Sequence, residues 1–285
     1  MDKVFNAFGS SAFSINCRGR LISLEVPKIM GILNITPDSF SDGGKFNDHN
    51  DALRQTEKML RDGATFIDIG AQSTRPKSRY LSAEEEINRL GKLISTIKIE
   101  FPETLISLDT FHSDVVNFGF DEGIDVVNDI SGGMFDPKMF GTVAKTGLPY
   151  ILMHVNPTYD EMHSQMLQGD LLVEINRYLS EKILELRSLG VKDIMVDPGF
   201  GFGKAVEQQH DLIDRVQHIN FGQNPMLIGI SRKSFIYKPL GKLPHDINEE
   251  TQKLHLKVLQ KGAKILRVHD VAAAQNTLAE FLESN

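Results

Sequence analysis

Short apolar runs alternate along this chain with longer stretches in which apolar residues recur every three or four positions. The runs are IMGILNI (29–35), TFIDIG (65–70), LISLDT (105–110), DVVNDI (125–130), YILMHV (150–155), DIMVDPG (193–199), MLIGIS (226–231) and KILRVHD (264–270). Each is short and rich in Ile, Val, Leu or Met, the pattern of strands buried on both faces. Between them, Leu172, Ile175, Leu179, Ile183 and Leu186 form one helical stripe, and Ile87, Leu90, Ile94 and Ile97 predict another helix. Ser82-Ala-Glu-Glu85 has the form of a capping box opening the latter. Gly63, Gly123, Gly147, Gly190 and Gly262 each stand just ahead of a strand, where a left-handed residue ends the preceding helix.

Eight strand–helix units in series predict an α/β fold, a (β/α)8 TIM barrel, in a single domain over residues 1–285. An open doubly wound sheet is the competing topology, because periodicity alone does not show closure. Within residues 4–25, Asn16-Cys-Arg-Gly19 lies between two short alternating stretches and predicts an N-terminal β-hairpin, a plug for the barrel bottom.

Composition narrows the partners. The 285 residues are 41% apolar and 24% charged, ordinary values for a globular chain. A formal charge of −7 argues against nucleic acid or an acidic membrane surface as the main partner. The single cysteine, Cys17, excludes an internal disulfide framework and a cysteine-rich zinc site. No apolar run approaches the ~18–20 residues of a membrane span. The N-terminus MDKVFNAFGSSAF shows no signal-peptide core, so a reduced, cytoplasmic setting is expected.

The candidate chemistry lies where the strands end. Those ends carry Asn34, Asp68, Asp109, Asn128 with Asp129, His154, Asp197, Ser231-Arg232-Lys233, and Arg267 with His269. In a barrel these positions converge on one face, where such folds keep their active sites. Asp and Asn could simply cap the following helices, but Lys, Arg and His fit poorly beside a helix N-terminus. Two polar loops, Asn34 to Gly44 and Ser73 to Tyr80, are long enough to be functional. In Asp197-Pro-Gly-Phe-Gly-Phe-Gly-Lys204 the glycines permit close approach of a ligand, two aromatics can stack on a flat ring, and Asp197 can accept a pair of hydrogen bonds. The dinucleotide and Walker A spacings are absent. His112, His163 and His245 fall in helical or loop stretches and read as surface residues, and Met153 reads as lining.

Met30-Gly-Ile-Leu-Asn-Ile-Thr-Pro-Asp-Ser-Phe-Ser-Asp-Gly-Gly44, Ser73-Thr-Arg-Pro76, Asn128-Asp-Ile130, Asp197 to Lys204, Ser231-Arg-Lys-Ser234 and Arg267-Val-His-Asp270 together resemble the dihydropteroate synthase family, in order through nearly the whole chain. The resemblance implies a transferase joining para-aminobenzoate to 6-hydroxymethyl-7,8-dihydropterin diphosphate, with Mg²⁺, a homodimer and competition by sulfonamides. It implies that Asp109, Asn128, Ile130, Met153, Asp197 and Lys233 bind the pterin. Asn34, Arg75, Arg267 and His269 would hold the diphosphate, Asn34 also serving Mg²⁺. Thr74, Pro76, Phe202 and Ser231 would frame para-aminobenzoate, and Asp38 would help order the active complex, acting with Lys233, Arg267 and His269 in catalysis.

The chain departs from that pattern in places. Gly70-Ala71-Gln72 stands where many relatives have Gly-Gly-Glu, and Lys77 where glycine is common. Asn248 to Gln252 replaces a small pair in the penultimate helix, which contributes to the family dimer. Two other readings share the slot: a pterin-binding methyltransferase module and a non-catalytic pterin-binding protein. A Schiff-base aldolase using Lys233 would leave the GFGFG stretch unexplained.

Overall fold

The computed structural model describes residues 13–35, 44–73, 78–155, 158–163 and 169–284. Eight parallel strands are present where the apolar runs place them: β3 (Lys28–Asn34), β4 (Phe66–Gly70), β5 (Leu105–Asp109), β6 (Val126–Asp129), β7 (Tyr150–Met153), β8 (Ile194–Asp197), β9 (Leu227–Ile228) and β10 (Ile265–Val268). They pair in the order β8-β7-β6-β5-β4-β3-β10-β9. A parallel bridge from Val196 to Met226 joins β8 to the start of β9 and completes the circuit, which decides against the open sheet.

Around this cylinder lie α1 (Gly44–Arg61), α2 (Ala83–Leu90), α3 (Leu93–Glu100), α4 (Ser113–Glu122), α5 (Met139–Thr146), α6 (Leu171–Ser188), α7 (Val206–Arg215), the short α8 (Ser234–Tyr237), α9 (Asn248–Gln260) and α10 (Val271–Glu283). The stripe from Leu172 to Leu186 is α6. The stripe from Ile87 to Ile97 proves to be two helices rather than one, broken where Gly91 takes a positive φ of 50°. Ser82 and Glu85 close the expected capping box on α2. The five glycines ahead of strands all have positive φ.

Alternation along the strands sorts each side chain in or out. Ile67, Ile69, Ile106, Leu108, Val127 and Leu152 face the helices in one continuous core. Met30, Phe66, Leu105, Val126, Ile151, Met195, Leu227 and Ile265, at the strand starts, fill the barrel's lower end. The predicted hairpin, β1 (Ser14–Cys17) with β2 (Arg20–Ser23), closes that end. Its Ile15 and Cys17 join the lower layer with Leu24. The turn holds Arg18 and Gly19 at φ 54° and 89°, the primed geometry that matches strand twist. Burial raises the Cys17 thiol to about 12, which keeps it protonated and inert.

Candidate active site

Strand register builds the opposite, C-terminal rim. Asn34 pairs with Gly70, Gly70 with Asp109, and Asp109 with Asn128, so four neighbouring strands set these residues side by side. A Cβ on Gly70 would lie 3.6 Å from Asn34 Oδ1 and 3.6 Å from Asp109 Oδ2, so the missing side chain leaves open the space between them. Met153 pairs with Asp197 on the next two strands. Alternation turns Asp129 and His154 the other way. Asp129 accepts from Tyr150 Oη at 2.6 Å and from the Ser131 and Gly133 amides, holding the turn after β6. His154 is buried against the Tyr178 ring in the helix layer.

Arg267 projects from β10 into a cage of carboxylates. Its Nε donates to Asp68 Oδ2 at 2.6 Å and its Nη2 to Asp109 Oδ2 at 2.6 Å. Asp68 is wholly buried and also accepts from Ser107 Oγ at 2.6 Å and Asn128 Nδ2 at 3.2 Å. Burial works against the Arg267 charge, but the Asp68 and Asp109 carboxylates outweigh it and raise its pKa. Burial, with Asp68 beside it, pushes the Asp109 carboxyl up while Arg267 pulls it down; the net direction is up. A Cβ on Gly229 would lie 3.9 Å from both Arg267 Cβ and Asp197 Oδ2, so this glycine separates the Arg267 cage from Asp197.

The GFGFG stretch wraps the second half of the site. Asp197 Oδ1 accepts from the Gly199 amide at 2.7 Å. Burial raises the Asp197 carboxyl, opposed by that amide, Lys233 and Arg267. Gly199 has φ +70°, and any Cβ there would meet the His154 carbonyl oxygen at 2.0 Å, so the path admits only glycine. Lys204 turns inward: its Nζ donates to the Gly199 carbonyl at 2.8 Å and the Phe202 carbonyl at 3.2 Å. Burial brings this ammonium down to about 7. Lys233 Nζ stands 4.3 Å from the centre of the Phe202 ring. Burial and Arg267 bring Lys233 down to about 8, against the pull of Asp197 and Asp109.

The remaining predicted residues fall around these two clusters. Ile130, Met153 and Phe202 share one apolar cluster with Phe111, Val155 and Met162. Left-handed backbone at Arg232 (φ 58°) leaves that side chain exposed while Ser231 is buried and Lys233 half-buried. Ser231 Oγ lies 3.0 Å from His269 Nδ1 and accepts from the His269 amide at 3.3 Å. Asp38, Thr74, Arg75 and Pro76 lie outside the described residues.

One histidine is not the surface residue expected. His112 is buried, with Nε2 at 2.9 Å from the Leu81 carbonyl oxygen. His163 stacks on Phe202, ring centres 5.2 Å apart. The sequence assigns Ser107 no place at the site, and Asp68 and Lys204 no specific partner there. Asp68 was visible as a strand-end acid, and Lys204 as the end of the glycine-rich string. Only the fold shows that Asp68 pairs with Arg267 and that Lys204 points into its own loop.

Comparison with known proteins agrees with this geometry. The family described as "Pterin binding enzyme" matches residues 30–269. The dihydropteroate synthase of Escherichia coli K12 is 37% identical over 256 residues, covering 89% of this chain and 90% of that protein. Xanthomonas albilineans dihydropteroate synthase, solved with 4-aminobenzoic acid, superposes with a TM-score of 0.89 at 32% identity, over 96% of this chain and 98% of that one. The Yersinia pestis enzyme, solved as a sulfonamide drug complex, gives a TM-score of 0.89 at 33% identity over 95% and 99%.

Proposed function

The chain belongs to the dihydropteroate synthase family of pterin-binding enzymes, and from that membership we infer that it is a transferase of folate biosynthesis. It condenses 6-hydroxymethyl-7,8-dihydropterin diphosphate with para-aminobenzoate to give 7,8-dihydropteroate and pyrophosphate. The observation that carries this assignment beyond resemblance is the convergence of Asp109, Asn128, Asp197, Lys233 and Arg267 on one rim, through register, ion pairing and the Gly229 contact.

In this reading Asp197 accepts the paired donors of the amino-pyrimidine edge. Asp109 and Asn128 hold the other polar ring atoms, and Lys233 faces the O4/N5 side. Ile130 and Met153 supply the dry wall. Arg267 and His269, with Asn34 and Arg75, take the diphosphate. Phe202 and Ser231, with Thr74 and Pro76, frame para-aminobenzoate, and Asp38 orders the complex. The same reading takes the chain as one barrel domain, residues 1–285.

The donors suit a cation that arrives with its substrate. Among the described residues no group of three His, Cys, Asp or Glu side chains is placed to hold a metal, whereas Asn34 Oδ1 borders the open space beside Gly70. Mg²⁺ takes few protein oxygens plus water and phosphate oxygens, so Asn34 would be a residue to hold it, and the ion would supply charge neutralisation for the leaving group.

The chemistry needs no covalent nucleophile from the protein. The electron-rich dihydropterin breaks its bond to the diphosphate oxygen, leaving a cation at the exocyclic carbon. The amine of para-aminobenzoate attacks that carbon and loses a proton. Arg267 and His269 stabilise the leaving group. Family membership also supports a homodimer through α9 and a cytoplasmic setting; no helix among the described residues is long and apolar enough to cross a membrane.

The test is pyrophosphate release from the dihydropterin diphosphate with para-aminobenzoate and Mg²⁺. Release dependent on both substrates is expected, with an isotopic label on the bridging oxygen recovered in pyrophosphate. A folded protein that binds the pterin but releases nothing would make it a binding module.

A further inference from the structure

The structure gives the buried side-chain amide of Gln72 a task. Gln72 is 6% exposed. Its Nε2 donates to the Ser73 carbonyl at 2.8 Å and the Arg79 carbonyl at 3.0 Å, and lies 3.2 Å from Tyr159 Oη. Its Oε1 accepts from the Leu81 amide at 2.7 Å. One side chain therefore joins both ends of the segment after β4. Tyr159, from the segment after β7, closes the arrangement: its Oη lies 3.1 Å from Ser78 Oγ and donates to the Ser73 carbonyl at 3.3 Å. The Tyr159 ring packs edge-on against Tyr80 (5.1 Å) and at a tilt against Phe111 (5.7 Å), a member of the apolar cluster that includes Met153 and Phe202.

The donor pattern requires an amide. An ionised carboxylate at position 72 would set charge against the Ser73 and Arg79 carbonyl oxygens, with no proton to give either. We propose that Gln72 and Tyr159 form a clamp across the segments after β4 and β7, and that both are positioning residues for the aminobenzoate half of the site. The proposal rests on the reading above, in which residues next to Ser73 frame para-aminobenzoate. Because the clamp reaches the segment that follows β4 and not Asp109, Asn128 or Asp197, its loss acts on one substrate and spares the other.

Tyr159→Phe removes one hydroxyl and keeps the ring packing; Gln72→Glu removes the donors. Losing one neutral hydrogen bond, worth ~1 kcal/mol, raises KM for para-aminobenzoate about fivefold in Tyr159→Phe. Equilibrium affinity for the dihydropterin diphosphate stays at the parent value. In Gln72→Glu the ratio of that KM to the parent's is larger at pH 8 than at pH 5, because protonation returns one donor, a slope that simple loss of packing would not produce. Unchanged KM in both variants, or a parallel fall in pterin affinity, overturns the clamp. Hydrogen exchange of the Arg79, Tyr80 and Leu81 amides reads it without turnover: faster exchange in Tyr159→Phe is expected, and unchanged exchange overturns it. A parent that shows this difference yet releases no pyrophosphate would defeat the synthase reading alone.

Discussion

Arg267, on β10, meets Asp109, at the end of β5, at 2.6 Å from Nη2 to Oδ2, although β3 and β4 lie between them in the sheet. The cation expected to wait for a diphosphate is thus already engaged by the acid expected to hold the pterin. Asp68 makes the engagement a triad. An anion bound at Arg267 would exchange partners within a charged set, so the proposed pterin and diphosphate halves of the site would share an electrostatic balance.

That sharing changes what Arg267→Ala does. Read from the sequence alone, Arg267 acts mainly through the diphosphate. In the structure its removal also leaves Asp68 and Asp109 facing each other unpaired. Breaking such a buried pair costs about 3–5 kcal/mol, so thermal unfolding shifts to lower temperature. Affinity for a pterin lacking the diphosphate falls as well, measured by titration calorimetry. Weakening confined to the diphosphate-bearing ligand would contradict the coupling.

In its proposed role at the pterin, Lys233 is expected to set the alkaline limb of the pH profile. Its pKa is lowered to about 8, so the ammonium is present below that pH and lost above it. The kcat/KM for the dihydropterin diphosphate declines as pH rises through about 8. In Lys233→Arg the limb moves to higher pH, because guanidinium keeps its proton.

Lys204 holds the GFGFG stretch from within. Lys204→Met keeps the length and leaves the Gly199 and Phe202 carbonyls without their donor. Each unsatisfied buried acceptor costs about 1–3 kcal/mol. Lower thermal stability is expected, together with faster hydrogen exchange at Gly199 to Gly203. Parent-like values for both would mean that water replaces the ammonium.

Glu86 on α2 is fully buried, and among the described residues neither carboxylate oxygen has a hydrogen-bond partner. Burial, with Asp109 adding, raises its pKa to about 8 while Thr110 and Arg89 oppose. The unfolded chain releases this proton near its ordinary pKa of 4.5 and the folded chain only near 8. Its contribution to stability is therefore full below 4.5 and declines as pH rises to about 8. Glu86→Gln removes the ionisation, so the variant gains thermal stability relative to the parent at pH 8 and little at pH 4. An equal difference at both pH values would show that Glu86 does not titrate in this window.

The sequence by itself determined the strands, because eight short runs of Ile, Val, Leu and Met have few other ways to be buried. It determined the hairpin through Arg18-Gly19, and it determined Asp197, Lys233 and Arg267 as candidates because charged groups at the ends of buried strands must find partners or ligands. Strand-end position by itself did not separate Asn128 from Asp129, or Met153 from His154, and only the family resemblance chose between them, since neighbours look alike until pleating sends one inward and the other to the helices. Closure of the barrel, the Arg267–Asp68–Asp109 triad and the Gln72–Tyr159 contact were decided by tertiary structure alone. Each joins residues far apart in the chain, 158 positions in the case of Asp109 and Arg267, and no local pattern records a contact made only when the sheet closes.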